Sequence, residues 1–290
     1  MITQFHRGLV IAFLLPTALV FLVFYAAPIA ILVSTSFTDW RGFDTPRFIG
    51  LGNYIALLSD EAFVTSVRNS ILWGLLAAFV HVPFGILVAL LINRHPFGHR
   101  FVRSVTLLPN LIAPAALALM YVLLFNPGIG AINQTIRLGF PDFRVNWFFE
   151  PLPAFIAVSS TWLFYSGVIT LIALAELSSV PEELFDAARV DGASETQVDW
   201  HIRLPFLRSA YAVGVIIAVT SVFKLFESVY LTTKGGPGNE TMSLGLLIFN
   251  EANTRYHYGY ANAIGVILAI MGFLVFWVVA RRLRLTEAVR

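Results

Sequence analysis

The sequence has no cysteine among its 290 residues, and charged residues make up only 12% of it. Without thiols the chain can form neither a disulfide nor a thiolate metal site, and it has no cysteine nucleophile. Soluble globular proteins typically have about 25% charged residues. The low value, together with 58% hydrophobic residues, indicates a polytopic membrane protein. A net charge of +2 is too small to indicate nucleic-acid binding.

Several motifs that would indicate chemistry are also missing from the sequence. There is no G-x-x-x-x-G-K-[ST] segment, so the chain lacks the phosphate-binding loop that P-loop ATPases use to bind ATP. The six histidines lack metal-site spacing, and no H-E-x-x-H occurs. The sequence shows no catalytic constellation of paired acid and base residues at membrane depth, which argues against a membrane-bound enzyme. We therefore predict no catalytic residue, metal site or cofactor in this chain.

Six apolar runs are long enough to cross a bilayer, which takes about 20 helical residues. They cover approximately residues 9–33, 71–92, 105–125, 152–174, 211–229 and 261–280. The first run resembles a signal peptide but is too long and lacks an A-x-A cleavage site, so we interpret it as a retained span. The sequence predicts an all-α, polytopic membrane protein with six transmembrane helices, forming one transmembrane domain over residues 1–290.

Positive residues are unevenly divided between the two sides of this arrangement. Of the 19 lysines and arginines, eleven lie on the side of the termini and seven on the other, while Lys224 falls within a span. The eleven crowd the short loops and the tail, where the positive-inside rule applies. We therefore expect both termini to be cytoplasmic, together with the polar loop at residues 176–208.

This polar loop contains signals for a first amphipathic helix. Ser179, followed three residues later by Glu182, predicts a capped helix start. Leu184, Phe185 and Ala188 follow at helical spacing and form one apolar stripe.

A sharp turn and a second helix are predicted next in the loop. Gly192 stands where the first helix must end, because glycine adopts the left-handed closing conformation at little cost. Ser194 with Gln197 predicts a second capped start, and Pro205 ends that helix before the next apolar run. Two capped helices are more than a simple connection between spans requires, so we interpret the loop as a docking element.

The stretch DAARVDGASETQVDWHIRLP at residues 186–205 resembles the "EAA" loop of binding-protein-dependent ABC importer permeases. The spacing of the acid, the alanine pair, the glycine and the final Ile-x-Leu-Pro matches that family, which usually has Glu where this chain has Asp186. In the family this loop binds the ATPase. The resemblance assigns the contact to Leu184, Phe185, Asp186, Ala187, Ala188, Asp191, Gly192, Ile202, Leu204 and Pro205.

Three further segments, at residues 107–133, 223–241 and 258–265, resemble the carbohydrate-uptake (maltose-type) branch of these permeases. The resemblance implies a sugar importer in the cytoplasmic (inner) membrane. It also implies a second homologous permease subunit, two copies of an ATPase that hold ATP and Mg, and an extracytoplasmic solute-binding protein. Membrane lipid would surround the chain, and no nucleic-acid partner is expected.

The substrate pathway of such a permease needs aromatic faces and neutral hydrogen-bonding groups. Within the predicted spans the only ionisable pair is Lys224 and Glu227, which are three residues apart in the fifth run. This spacing predicts an ion pair along one face of a helix. The alternative is that Glu227 contacts the substrate, because ionisable residues within spans are often functional. The candidate pathway residues are Trp162, Tyr165, Ser166, Phe223, Glu227 and Tyr230.

Two alternatives remain at this point. A sugar-phosphate or polyol importer of the same family would give Lys224 a role as an anion partner. A stand-alone secondary carrier would be favoured by an inverted repeat or by broken apolar helices in matched halves, and the sequence indicates neither. The scarcity of acidic residues within the spans also argues against an ion-coupled carrier.

Overall fold

The computed structural model of this protein describes residues 7–43, 45–94 and 97–282. In these residues the regular secondary structure is helical, apart from one isolated antiparallel bridge between Thr38 and Phe48. The predicted all-α class is confirmed.

The described residues form a series of α-helices joined by turns and loops. In chain order they are α1 (Arg7–Phe21), α2 (Ala27–Thr35), α3 (Gly52–Ser59), α4 (Glu61–Leu76), α5 (Val82–Asn93), α6 (His99–Leu107), α7 (Pro114–Leu124), α8 (Ala131–Arg137), α9 (Pro151–Ser160), α10 (Gly167–Leu177), α11 (Glu182–Val190), α12 (Glu195–Val198), α13 (Leu204–Phe206), α14 (Arg208–Phe223), α15 (Glu227–Thr232), α16 (Leu244–Phe249) and α17 (Tyr258–Arg282). Wider π-helical turns occur at Leu22–Ala26, Ala77–His81, Asp199–Arg203 and Asn250–Thr254, and a 3₁₀ turn at Leu108–Leu111.

Three continuous helices are long and apolar enough to cross a membrane: Val10–Thr35, Glu61–Asn93 and Tyr258–Arg282. They correspond to the first, second and sixth predicted spans. The third predicted span overlaps a helix pair, His99–Leu111 and Pro114–Leu124, that is bent by 102°. The fifth overlaps Arg208–Phe223, which is bent by 63° from Glu195–Phe206, and the fourth contains the short helices α9 and α10. The described residues therefore hold up to five spans by length and composition, and the count of six stays a prediction.

Proline explains three of the four π-helical turns. Pro28, Pro83 and Pro205 each stand two residues after such a turn. Proline lacks an N–H group, and its ring clashes with the carbonyl four residues earlier. A π-helical turn widens the helix locally, so that the chain remains helical without that clash.

The chain divides into two compact units. The first comprises Met1–Asp60 and Ile248–Ala269, and the second comprises Glu61–Leu247 and Ile270–Arg290.

Polar contacts hold the first unit together. Glu251 is 1% exposed; its carboxylate accepts a hydrogen bond from Arg255 at 2.5 Å and lies 3.1 Å from His257 Nδ1. Tyr260 donates its hydroxyl to Asp60 at 2.7 Å. A buried carboxylate requires such partners, because an unpaired charge out of water is costly.

The core of the second unit lies where α4, α5, α9, α10 and α14 pack. Trp73 is fully buried; its ring stacks on Phe155 at 5.2 Å, and its indole N–H donates to Ser159 at 3.0 Å. Gly85 allows α5 to approach α10 closely, since a Cβ there would lie 2.8 Å from the Ile169 side chain. The fragments of the fourth predicted span are thus positioned by packing against a longer helix.

Candidate functional site

The polar loop at residues 176–208, named the docking loop from here on, folds as α11, a tight turn, α12 and α13. Gly192 has the predicted left-handed conformation, with φ of +81°. Its N–H donates to the Arg189 carbonyl, and the Ala193 N–H donates to the Ala188 carbonyl. This pair of bonds is the Schellman arrangement that closes a helix. The predicted turn is confirmed.

The two predicted helix starts of the docking loop have different outcomes. Ser194 forms the predicted capping box, in which its hydroxyl accepts from Gln197 N–H and the Gln197 side chain accepts from Ser194 N–H. The prediction for Ser179 is wrong: α11 begins at Glu182 without a side-chain cap, and the Ser179 hydroxyl donates to the Glu176 carbonyl at 2.7 Å. Pro181 has an extended backbone, so Ser179 stays with the preceding turn.

Arg203 is the centre of the docking loop. Its side chain is 3% exposed, and Nη1 donates to Asp199 at 2.5 Å and to Glu195 at 3.0 Å. The guanidinium also lies 5.0 Å from the centre of the Phe185 ring on α11. One buried cation therefore joins the two helices on either side of the Gly192 turn.

Further charge contacts extend from this centre in both directions. Arg94, at the end of α5, donates to Asp199 and so ties the docking loop to a long apolar helix. Arg189 contacts Asp186 at 3.1 Å and Glu195 at 3.2 Å on the exposed side. The network runs continuously from α5 to Asp186.

The base of the docking loop is closed by Glu176. Its carboxylate accepts the Ala210 N–H at 2.6 Å, in the first turn of α14. A carboxylate at this position satisfies a free backbone donor and interacts favourably with the positive end of the helix.

The residues assigned to ATPase contact lie on both sides of this framework. Leu184 is 42% exposed, and the Asp186 side chain is 71% exposed. Phe185 is half-buried against Arg203. Of the others, Ala187, Asp191, Gly192 and Pro205 are exposed, and Ala188, Ile202 and Leu204 are half-buried.

The charge network gives the docking loop a pH dependence. The hydrogen bond from Arg203, and then that from Arg189, lowers the pKa of Glu195 below its ordinary value of 4.5, although partial burial opposes this. A lowered folded-state pKa stabilises the fold above the unfolded value, and this contribution is lost as the pH falls through the folded-state value. We expect backbone hydrogen exchange in the loop, corrected for its intrinsic pH dependence, to lose protection below about pH 4.5.

The matched variants for this test are Glu195→Gln and Glu183→Gln. Glu183 is an exposed carboxylate on α11. Glu195→Gln should weaken the acid dependence of the exchange, whereas Glu183→Gln should keep it. Equal acid dependence in both variants would show that Glu195 does not carry the effect.

A cleft of about 410 Å³ in the second unit forms the other part of the site. It lies beside three helix interruptions: between α6 and α7, between α9 and α10, and between α14 and α15. Gly167 helps to form it, since a Cβ there would lie 2.4 Å from Asn110 Nδ2. Interrupted apolar helices are therefore present, although the sequence indicated continuous ones. We name this space the central cleft.

Aromatic and neutral polar groups line one side of the central cleft. Trp162 and Tyr165 come from the turn between α9 and α10. Trp162 Nε1 is buried and has no hydrogen-bond partner among the described residues. Tyr165 donates to the Tyr121 hydroxyl at 2.7 Å. His81 lies 2.8 Å from the Leu163 carbonyl and faces Trp162 with ring centres 6.0 Å apart.

The charged residues of the central cleft do not have the predicted arrangement. Lys224 and Glu227 both line it. The chain leaves the helix after Phe223 and re-enters it at Glu227, so the two side chains do not share one helix face. Within the described residues no ion pair joins them. The predicted i, i+3 pair is wrong because the predicted helix is interrupted.

Three predicted pathway residues lie outside the central cleft. Ser166 is fully buried behind its wall, next to Gly85. Phe223 is buried against Gly74. Tyr230 is 38% exposed and stacks on Phe226 at 5.2 Å.

Sequence reasoning missed two groups of residues. The central cleft is also lined by Asn110, Ser221 and Ser228. The sequence does not indicate this, because an isolated polar residue in an apolar segment has no pattern that shows which way its side chain faces. The pairing of Arg203 with Asp199 was missed too, although their spacing of four residues in a predicted helix could have revealed it.

Comparisons with known proteins agree with this architecture. Residues 81–284 match the family described as "Binding-protein-dependent transport system inner membrane component". The multiple sugar-binding transport system permease protein MsmF of Streptococcus mutans is 30% identical over 265 residues, covering 89% of each chain. The sulfoquinovosyl glycerol transport system permease protein SmoG of Agrobacterium fabrum is 31% identical over 284 residues, covering 96% of this chain and 91% of SmoG.

A solved structure is similar over nearly the whole chain. It is the crystal structure of a bacterial ABC transporter involved in the import of the acidic polysaccharide alginate, with a TM-score of 0.81 and 25% identity. The match covers 96% of this chain and 95% of the other. The family match covers well over half of the chain and includes both the docking loop and the central cleft. The protein is a member of the family of inner-membrane components of binding-protein-dependent transport systems.

Proposed function

We propose that this protein is a permease subunit of an ATP-driven importer, and that it passes a sugar or sugar-like solute through the central cleft. The observation that carries the proposal is the docking loop. Its two helices are held at a defined angle by the buried Arg203 and the Gly192 turn, while Leu184 and Asp186 stay exposed. A rigid loop with an exposed apolar and acidic face is suited to binding a partner protein.

In this proposal the partner at the docking loop is a separate ATPase, present in two copies and holding ATP and Mg. A second homologous permease would complete the pathway, and an extracytoplasmic binding protein would deliver the solute. Both termini would be cytoplasmic, as the distribution of arginines indicates. The docking loop has no use in a stand-alone carrier, so the interrupted helices alone do not favour that alternative.

The chemistry of the central cleft supports a sugar as the solute. A sugar ring stacks on aromatic faces, and its hydroxyls require donors and acceptors nearby. Trp162 offers an aromatic ring, and Tyr165 and Asn110 add polar groups. The similar protein MsmF is a permease of a multiple sugar-binding transport system, which agrees with a sugar as the solute.

Lys224 favours a second candidate, an anionic sugar derivative such as a sugar-phosphate. It lines the central cleft, and no ion pair in the described residues neutralises it. SmoG and the alginate transporter, both similar to this chain, belong to systems for sulfoquinovosyl glycerol and for an acidic polysaccharide.

Uptake by the reconstituted complex tests the proposal and separates the two candidates. We expect uptake to require ATP on the side of the docking loop and the binding protein on the other side. For an anionic sugar, Lys224→Gln should reduce uptake at least about tenfold, since charge-assisted contacts are worth about 1.5–3 kcal/mol. For a neutral sugar, Lys224→Gln should have little effect, and Trp162→Ala should reduce uptake instead.

The matched control is Lys234→Gln, because Lys234 is exposed and does not line the central cleft. It should leave uptake of both substrates unchanged. Uptake driven by an ion gradient without the ATPase would contradict the proposal and favour the stand-alone carrier.

A further inference from the structure

The two faces of the short helix α6 have opposite character. Phe101, Val102 and Val105 are 73%, 43% and 50% exposed on one face. Arg100 and Arg103 lie on the opposite face, by the angular spacing of an α-helix. A helix with arginines opposite exposed apolar side chains is typical of the membrane interface.

The direction of α6 agrees with an interfacial position. The segment His99–Leu111 is bent by 102° from Pro114–Leu124, which is apolar. If the second segment crosses the bilayer, the first lies roughly along its surface. Phe101 and Val102 then face the acyl region, where their exposure costs nothing.

The arginine face of α6 borders a groove of about 640 Å³ against α5 and α10. Arg100, Arg103, His99 and Ser178 supply polar groups, while Leu171 and Leu174 form an apolar wall. We name this space the arginine groove. Within the described residues Arg100 and Arg103 have no acidic partner within 4.0 Å, in contrast to Arg94, which is paired with Asp199.

We propose that the arginine groove binds an anionic phospholipid, with the headgroup phosphate at Arg100 and Arg103 and an acyl chain along Leu171 and Leu174. The charge of the two arginines complements a phosphate. A groove that is cationic at one end and apolar along its wall, at the boundary of membrane helices, matches both parts of a lipid. This inference goes beyond the proposed function, since it needs only that the chain lies in a membrane.

The test uses the full chain, purified with the subunits that accompany it, and a photoactivatable phosphatidylglycerol. Crosslinks should map to the segments that border the arginine groove, and unlabelled phosphatidylglycerol should compete while phosphatidylcholine should not. In Arg100→Gln/Arg103→Gln the affinity for phosphatidylglycerol should fall roughly twenty-fivefold, because each arginine near an anionic surface contributes about fivefold.

Two variants control for general effects. Arg281→Gln/Arg282→Gln removes the same charge from the end of α17, outside the groove, and should keep the crosslinks. Arg100→Lys/Arg103→Lys keeps the charge and should retain most of the binding, which also shows that substitution here is compatible with folding.

Four outcomes would overturn the proposal. The first is that Arg100→Gln/Arg103→Gln keeps the phosphatidylglycerol crosslinks. The second is that Arg281→Gln/Arg282→Gln loses as much phosphatidylglycerol binding as Arg100→Gln/Arg103→Gln does. The third is that millimolar inorganic phosphate competes with the crosslinking as well as unlabelled phosphatidylglycerol does, which would indicate a site for a small anion. The fourth is that a photocrosslinker placed at Arg103 captures a protein subunit in place of lipid, which would show that the arginine groove is a subunit interface.

Discussion

Replacing Gly192 by valine is expected to uncouple ATP hydrolysis from transport while leaving the protein in the membrane. The backbone at Gly192 has φ of +81°, which costs a residue with a side chain about 1–2 kcal/mol. A Cβ would meet no atom of the described residues within 4 Å, so this backbone strain is the main local cost. The strain opposes the turn that orients α11 relative to α12. We expect the affinity for the ATPase to fall about fivefold to thirtyfold.

The measurement is stimulated ATPase activity and uptake by the reconstituted complex, with membrane insertion checked separately. Gly98→Val is a matched control, because Gly98 has φ of +82° and, among the described residues, no atom within 4 Å of an added Cβ, but lies outside the docking loop. Gly192→Asn should restore much of the coupling, since asparagine tolerates the left-handed region. Normal uptake by Gly192→Val would show that the turn does not set the docking geometry.

Arg203→Leu is expected to have the largest effect on the structure of the docking loop. Breaking a buried ion pair by removing one partner costs about 3–5 kcal/mol. Asp199 keeps Arg94 as a partner, so we expect a loss near the lower end of this range. Backbone hydrogen exchange should accelerate in α11 and α12 together, and the ATPase should no longer co-purify.

Arg189→Leu is the control for Arg203→Leu. Arg189 also contacts Glu195, but its side chain is 50% exposed. Water screens such surface pairs, so exchange in the docking loop should change little. If the two leucine variants had equal effects, the buried position of Arg203 would not be what holds the loop together.

Local sequence rules are sufficient to predict that this is a membrane protein and where the docking loop turns. Apolar run lengths indicate a membrane protein because a helix needs about 20 residues to cross a bilayer. Gly192 and Ser194 determine how one helix ends and the next begins through bonds to neighbouring residues, so both could be recognised without tertiary contacts. The capped start at Ser179 failed because Pro181 imposes its own backbone conformation.

The central cleft could not be predicted, because the apolar runs that form it look continuous. An interrupted helix and an intact one have the same composition when both are buried, and a helix that is apolar all round has no periodicity to show which side faces a cavity. Ser166 and Phe223 therefore seemed as suitable as Trp162 and Tyr165, yet packing turns the first two away from the cleft.

Contacts between distant residues were decided by the tertiary structure alone. Arg94 and Asp199 are 105 residues apart, and no local pattern relates them. Lys224 and Glu227 are close in sequence, but the interruption between α14 and α15 removes the helical spacing that a pairing rule assumes. Chain-local bonding determines the turns and helix ends, whereas the cleft and the charge network depend on which helices pack together.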